Sequence, residues 1–363
     1  MSTIKRSKIG KVFPHGLSKN FFNIITFQSS PFKLIILKVK LRIIVIITFQ
    51  KLYFWKMINM YNLLICSIII GVISNILFQW LFVKLKKFDS INPRSSHSTL
   101  ATKTGGISLF TTLFFITLYF YFTNNEIFDF SLLIPLALIF IIGVYDDFYD
   151  ANFKLKFFIQ IIVAKLLIDN GFIINNYYGL FGIYEIPYLL AQFTTVFVFV
   201  VLVNAFNFID GIDGLAVSFA IFSILGFEYL NESSLLTLLN TICIGGLIPL
   251  YYFNFKKENK IFLGDAGSLF LGSLITINLF HYLDINQRVL NGNRALLSVA
   301  ALFYPLFDLL RVFIIRISQK KSPFIADKKH IHHYLLNKKL SHPLISIILV
   351  LLNFLVFLLI FNL

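Results

Sequence analysis

Residues 186–214 read IPYLLAQFTTVFVFVVLVNAFNFIDGIDG, and no residue between Ile186 and Ile209 is charged. A helix rises 1.5 Å per residue, so about 20 apolar residues cross the hydrocarbon core of a bilayer, and this run is long enough. It ends in four polar groups, Asn204, Asn207, Asp210 and Asp213, with Gly211 and Gly214 between and after the acids. Steps of three along a helix fall back about 60° each, so Asn204, Asn207 and Asp210 share one sector while Asp213 faces away. The two glycines offer a backbone break that returns Asp213 to the others. Polar glue between spans explains one or two amides, not four polar groups at period three.

Similar charge-free runs cover Leu63–Val83, Ser233–Phe255 and Ser341–Leu363. With 58% hydrophobic and 13% charged residues, 44 Phe and a mean hydropathy of +0.81, the chain is neither disordered, collagen-like nor a small disulfide scaffold. The expected fold is an all-α polytopic membrane protein with spans near 62–83, 105–123, 130–145, 155–172, 188–206, 214–230, 235–253, 267–283, 294–316 and 343–362. That is ten spans. Those at 130–145, 155–172 and 294–316 are the least regular, the first being short and the others carrying Lys165 and Asp169, or Asp308 and Arg311. Cys66 and Cys243 both lie in apolar runs, too few for a metal cluster or a disulfide framework.

The formal charge of +15 is unevenly spread. Residues 1–60 hold 11 Lys/Arg and no acid, and the remainder is close to neutral. No nucleic-acid-binding signature accompanies that charge, so a nucleic-acid partner is set aside. The connections at 84–104, 146–156, 207–213, 254–266 and 316–342 hold 17 Lys/Arg, which makes them cytoplasmic by the positive-inside rule. Outer connections are turn-like, as in Asn175–Gly179. Residues 1–56 form a basic extension before a membrane domain at 57–363. Either a stretch near 43–55 adds an eleventh span, or translation begins at Met57 or Met60; a lysine-flanked run of about 12 residues is short for a span, which favours the second.

Every dense polar cluster falls on the cytoplasmic side, which predicts one shared active site at that membrane boundary. Asp146-Asp147-Phe148-Tyr149-Asp150 places adjacent carboxylates where a divalent cation or a proton relieves their repulsion. On a continuous helix Asp146 and Asp150 share a face, and Lys154 and Lys156 follow as candidate phosphate ligands. In Phe262-Leu-Gly264-Asp265-Ala-Gly267-Ser268 the glycines permit close approach of a ligand, and the helix that follows offers free N–H groups to an anion. His330-Ile-His332-His333 suggests zinc by residue type. No fourth ligand of equal quality adjoins it, and the lysines around it favour phosphate. Carboxylates and an amide for Mg²⁺, cations for phosphates and a membrane position together suit phosphoryl transfer between a soluble nucleotide and a lipid.

In this order the motifs closely resemble those of the polyprenyl-phosphate N-acetylhexosamine-1-phosphate transferases, from about residue 60 to 342. These include the enterobacterial-antigen and teichoic-acid initiating enzymes and the peptidoglycan translocase, and His-Ile-His-His resembles the initiating enzymes. Arg94-Ser-Ser-His97 and Gly105-Gly106 resemble the family's first loop, with Leu100 and Thr102 at usual proline positions, Lys103 for an arginine and Thr104 for a glycine. The resemblance implies transfer of an N-acetylhexosamine 1-phosphate from a UDP-sugar, UDP-GlcNAc first, to a polyprenyl phosphate such as undecaprenyl phosphate, releasing UMP. It further implies Mg²⁺, or Mn²⁺ in its place, on Asn207 and Asp265, with Asp146 and Asp147 beside the attacking lipid phosphate and Asp210 and Asp213 as further catalytic carboxylates. Phe262 would stack on uracil, and Asn204, Arg94, His97, Lys103, Lys154, Lys156, His330, His332 and His333 would bind substrate. The setting it implies is the bacterial cytoplasmic membrane, and a homodimer is compatible with it.

Two other readings compete. CDP-alcohol phosphotransferases set Asp-Gly and Ala-Arg before two spaced aspartates, which Asp210-Gly211-Ile-Asp213-Gly lacks. A multi-pass transporter of an anionic substrate predicts acids at the bilayer midplane and two repeated halves, and neither is visible.

Overall fold

A computed structural model describes residues 60–89, 101–125, 127–231, 234–284, 293–322 and 329–362. The basic extension, its boundary with the membrane domain, Arg94 and His97 lie outside the described residues. The described chain is mainly helical: α1 (Met60–Lys84), α2 (Gly105–Phe122), α3 (Leu133–Tyr149), α4 (Phe153–Asp169), α5 (Tyr188–Ile209), α6 (Leu215–Leu230), α7 (Thr237–Asn254), α8 (Gly264–Leu283), α9 (Arg294–Ala301), α10 (Phe303–Ser318), α11 (Ile331–Asn337) and α12 (His342–Phe361). Two short strands, β1 (Ala101–Thr102) and β2 (Lys260–Ile261), pair in parallel.

Helix occupies all ten windows expected from the sequence. Six of these segments, α1, α2, Phe130–Tyr149, α5, α8 and α12, are long and apolar enough to cross a membrane, or seven if α9 and α10 form one bent span. The shortfall from ten has local causes. α4 carries Lys154, Lys156, Lys165 and Asp169, α6 has only 16 residues, and α7 is diluted by Asn240, Thr241 and Asn254. The multi-pass membrane character is plain on α1, where Ile65, Ile69, Ile73, Ile76 and Trp80 form an exposed stripe at helical spacing.

α8 is the axis of the bundle, with every residue from Ala266 to Leu283 buried. Its N-terminal end enters between α2 and α3 because glycines line the approach. A Cβ on Gly106 would lie 2.2 Å from the Gly267 nitrogen, and one on Gly143 would lie 2.5 Å from the Ala266 Cα. Small residues let helix backbones touch in lipid, where packing replaces the hydrophobic drive. Farther along, Asn240 and Asn278 exchange amide hydrogen bonds of 2.7 and 3.0 Å, and Asn240 also donates to Glu228 at 2.6 Å.

α9 and α10 meet at 74° around Leu302. Pro305, in the first turn of α10, cannot donate to a preceding turn and so favours a break there. Asn353 of α12 stitches the opening, accepting from the Tyr304 N–H at 2.8 Å and donating to the Ala301 carbonyl at 2.9 Å. The turn expected at Asn175–Gly179 forms, with the left-handed backbone on Tyr178 and Gly179, φ 53° and 80°, and not on the asparagines.

One sequence expectation fails in this fold. Asp150 takes a left-handed conformation, φ 51°, immediately after α3 ends at Tyr149, so Asp146 and Asp150 do not share a helix face.

Candidate active site

Three helix ends converge. The C-terminal ends of α3 and α5 and the N-terminal end of α8 surround a cavity of about 300 Å³, lined by Asp147, Asn207, Asp210, Asp213 and Asp265 among others. The β1–β2 ribbon adds Lys103 and Phe262, and the segment with α11 adds His333. The glycine break after α5 performs as the spacing predicts: Gly214 is left-handed at φ 74°, and Asp213 faces the same cavity as Asn207 and Asp210.

The start of α8 departs from expectation. Two of its first-turn N–H groups do not await a ligand's anion, because the Asp147 carboxylate already takes them. Asp147 Oδ1 accepts from the Asp265 N–H at 3.0 Å and Oδ2 from the Ala266 N–H at 2.9 Å. A carboxylate suits this position, satisfying orphan donors at the positive end of the helix dipole. Gly264, at φ 73°, makes the approach possible, since a Cβ there would lie 2.7 Å from Asp147 Oδ2. Asp265, held next to this cap, points into the cavity and accepts from the Asn207 side-chain amide, which also donates to Ser268 Oγ at 2.9 Å.

Charge at the cavity is arranged in layers. Lys103 Nζ lies 3.3 Å from Asp89 and 3.7 Å from Asp147. Burial opposes its charge, but Asp147, Asp89 and Asp265 outweigh that and hold the ammonium above its ordinary range. Asp210 is pushed well above the usual carboxylate range, by burial first and then by Asp265, Asp147 and Asp213. Asp213 goes the other way: burial would raise it, but Lys260 Nζ at 2.5 Å and His342 Nδ1 at 2.7 Å hold it low.

The three histidines divide. His333 lines the cavity, whereas His330 is buried with its Nδ1 2.8 Å from Asp308. His332 is fully buried against Gly211, where a Cβ would lie 2.3 Å from His332 Nε2. Burial, with the neighbouring His333 and His330, lowers its pKa to about 3, so the ring is neutral. Only one of the three expected phosphate ligands therefore faces the cavity.

Other expected ligands also sit behind it. Asp146 is buried, accepting from the Ala151 N–H at 2.8 Å and paired with Lys156 at 2.5 Å across the α3–α4 corner, and its carboxyl group also lies against that of Asp265. Lys154 is exposed. Asn204 donates to Gln160 at 2.8 Å and to the Val200 carbonyl at 2.7 Å, tying α5 to α4. Sequence reasoning passed over Lys260, which lies 5.3 Å over the Phe262 ring as well as against Asp213. Its signal was the strand: residues 260 and 262 share a face at period two.

The donor set around Asp265 is oxygen from carboxylates and amides, which suits a hard divalent cation and not a soft one. Among the described residues no three His, Cys, Asp or Glu side chains form a metal cage of their own. A cation here would complete its shell with water and substrate oxygens, as Mg²⁺ commonly does, and the carboxylate crowding that raises Asp210 would be relieved by it.

The glycosyl transferase family 4 model matches residues 129–281, which hold the ends of α3, α5 and α8. Three proteins called undecaprenyl-phosphate alpha-N-acetylglucosaminyl 1-phosphate transferase are similar over most of the chain. The one from Yersinia pestis is 32% identical over 267 residues, covering 70% of each chain. That from Thermotoga maritima is 30% identical over 268 residues, covering 72% of this chain and 78% of its own. That from Escherichia coli (strain K12) is 29% identical over 286 residues, covering 73% and 75%. With the ordered motifs meeting in one cavity and a relative this close over this length, the chain belongs to the polyprenyl-phosphate N-acetylhexosamine-1-phosphate transferase family.

Proposed function

We propose that this protein transfers N-acetylglucosamine 1-phosphate from UDP-GlcNAc to undecaprenyl phosphate and releases UMP, starting a cell-surface glycan. The observation that carries the reading is the cavity itself, where Asp265 and Asn207 meet Asp147, Lys103 and Phe262 at the ends of membrane helices. An oxygen of the lipid phosphate attacks the phosphorus bonded to the sugar, the bond from that phosphorus to the UMP oxygen breaks, and UMP carries the electron pair away.

Asp265 and Asn207 would hold Mg²⁺, or Mn²⁺ in its place, which supplies charge neutralisation for the diphosphate. Lys103 and His333 face the same cavity and would bind phosphate oxygens, and Phe262, backed by Lys260, offers its ring to the uracil. Asp147, with both oxygens on backbone N–H groups at the start of α8, would position Asp265. Positioning and charge stabilisation dominate such chemistry.

The ten-span arrangement with this cavity on the cytoplasmic face of the bacterial cytoplasmic membrane remains our reading, supported by the basic loops on that side. The transporter alternative lacks support, since the acids that line the cavity gather at helix ends and not at mid-span. Release of UMP from UDP-GlcNAc by the purified protein, dependent on added undecaprenyl phosphate, tests the proposal. No UMP, or UMP release indifferent to the lipid, would reject it.

A further inference from the structure

Asp308 lies in α10, outside the cavity, and is fully buried. A buried carboxylate is costly unless its oxygens are satisfied, so what satisfies it matters. Oδ2 faces His330 Nδ1 at 2.8 Å, and Oδ1 accepts from the Ile331 N–H at 3.0 Å and from Arg311 Nη2 at 2.8 Å. Arg311 in turn donates to the Lys329 carbonyl. Residues 329, 330 and 331 are thus all fastened to one point, directly or through Arg311. Ile331 begins α11, so Asp308 serves that helix as a cap supplied from another helix. Two residues past the fastening, His333 faces the cavity, while His332 between them fills the space at Gly211.

We propose that Asp308 is a positioning residue for the transfer reaction: it holds the start of α11 so that His333 reaches the cavity. The inference rests on the phosphate role given to His333 above. Asp308 touches no substrate in this arrangement; it acts through the loop. If the fastening is lost, α11 loses its cap and a small displacement of His333 follows, and a misplacement of about 1 Å costs on the order of 100-fold in rate.

The test is a double-mutant cycle in kcat/KM with Asp308→Asn and His333→Ala, joined to amide hydrogen exchange of residues 329–337. Glu228→Gln is the control, another carboxylate-to-amide change, at a group that accepts from Thr237 at 2.8 Å and Asn240 at 2.6 Å away from the cavity. Asp308→Asn should lower kcat/KM by about 10- to 100-fold, speed exchange in 329–337, and add little to His333→Ala. Glu228→Gln should leave that exchange unchanged, and its effect should multiply with that of His333→Ala within about twofold. If Asp308→Asn is not recovered folded, Arg311→Met releases the Lys329 carbonyl and carries the same cycle. Unchanged exchange in 329–337, or independent effects of Asp308→Asn and His333→Ala, overturns the inference while leaving the proposed function standing. Undiminished turnover in His333→Ala alone rejects the phosphate role of His333, and the inference with it.

Discussion

One substitution, made at two glycines, tests whether helix contact holds the site together. Gly106→Ala places a methyl group 2.2 Å from the Gly267 nitrogen, 2.6 Å from its Cα and 2.7 Å from the Ala266 carbonyl carbon. All three are backbone atoms, so no side chain can swing aside. α2 and α8 must separate by roughly 1 Å or more to restore van der Waals distance, and overpacking of this kind costs about 1–3 kcal/mol. Gly226 lies inside α6 with nothing within 4 Å of its added Cβ, so Gly226→Ala should stabilise by about 0.5–1 kcal/mol through helix propensity alone. The readouts are thermal unfolding of the detergent-solubilised protein and UMP release. Gly106→Ala should unfold at lower temperature and lose at least about tenfold in turnover, because Asp265 and the N–H groups on Asp147 ride on the displaced end of α8. Gly226→Ala should unfold slightly higher and keep its activity. A Gly106→Ala protein as stable and as active as wild type would refute the backbone contact and the placement of α8 derived from it.

Three further outcomes follow from the cavity. Asp265→Ala should abolish turnover in a protein that still folds and inserts, and EDTA should do the same reversibly to wild type; full activity in either case removes the proposed cation from the site. Lys260→Met should raise KM for the UDP-sugar more than it lowers kcat, because it removes the cation behind Phe262 and one partner of Asp213; a pure kcat effect would argue against that placement. His332 gives a pH signature: its folded pKa, about 3, lies below the unfolded value near 6.5, so the unfolded chain binds the extra proton between those limits and stability falls as pH falls through them. The loss by pH 5 is about 2 kcal/mol at 1.36 kcal/mol per unit. Comparing unfolding temperatures at pH 5 and pH 7.5 in wild type and His332→Phe should show the acid sensitivity reduced in the variant; equal sensitivity would mean that the ring is not buried neutral.

Much of this architecture was legible because lipid imposes strong composition rules. Apolar runs marked every helical window, and the Gly211–Gly214 break was readable as a turn that returns Asp213 to Asn207. What periodicity could not supply was the number of spans, since α4 and α7 are polar where they bury their polar groups against neighbours, Asn204 with Gln160 and Asn240 with Asn278. Hydropathy counts residues, and the bundle decides which of them meet lipid.

Two features of the site depart from the sequence reading for one shared reason. Local rules seek the cap of a helix among the residues just before it, so the start of α8 looked like an open anion site and the histidines like a single ligand set. In the folded chain both caps come from elsewhere: Asp147 on α3 closes α8, and Asp308 on α10 closes α11. Each is a carboxylate more than twenty residues away in sequence from the helix it serves, and each leaves a neighbouring group facing the cavity, Asp265 in one case and His333 in the other. The two differ in place, since Asp147 also lines the cavity while Asp308 lies outside it, but in both a carboxylate from one helix fixes the start of another. Asp146, adjacent to Asp147 in sequence, divides the work with it: consecutive side chains on a helix diverge by about 100°, so while Asp147 takes backbone N–H groups of α8, Asp146 pairs with Lys156 and Ala151 and lies against the Asp265 side chain itself.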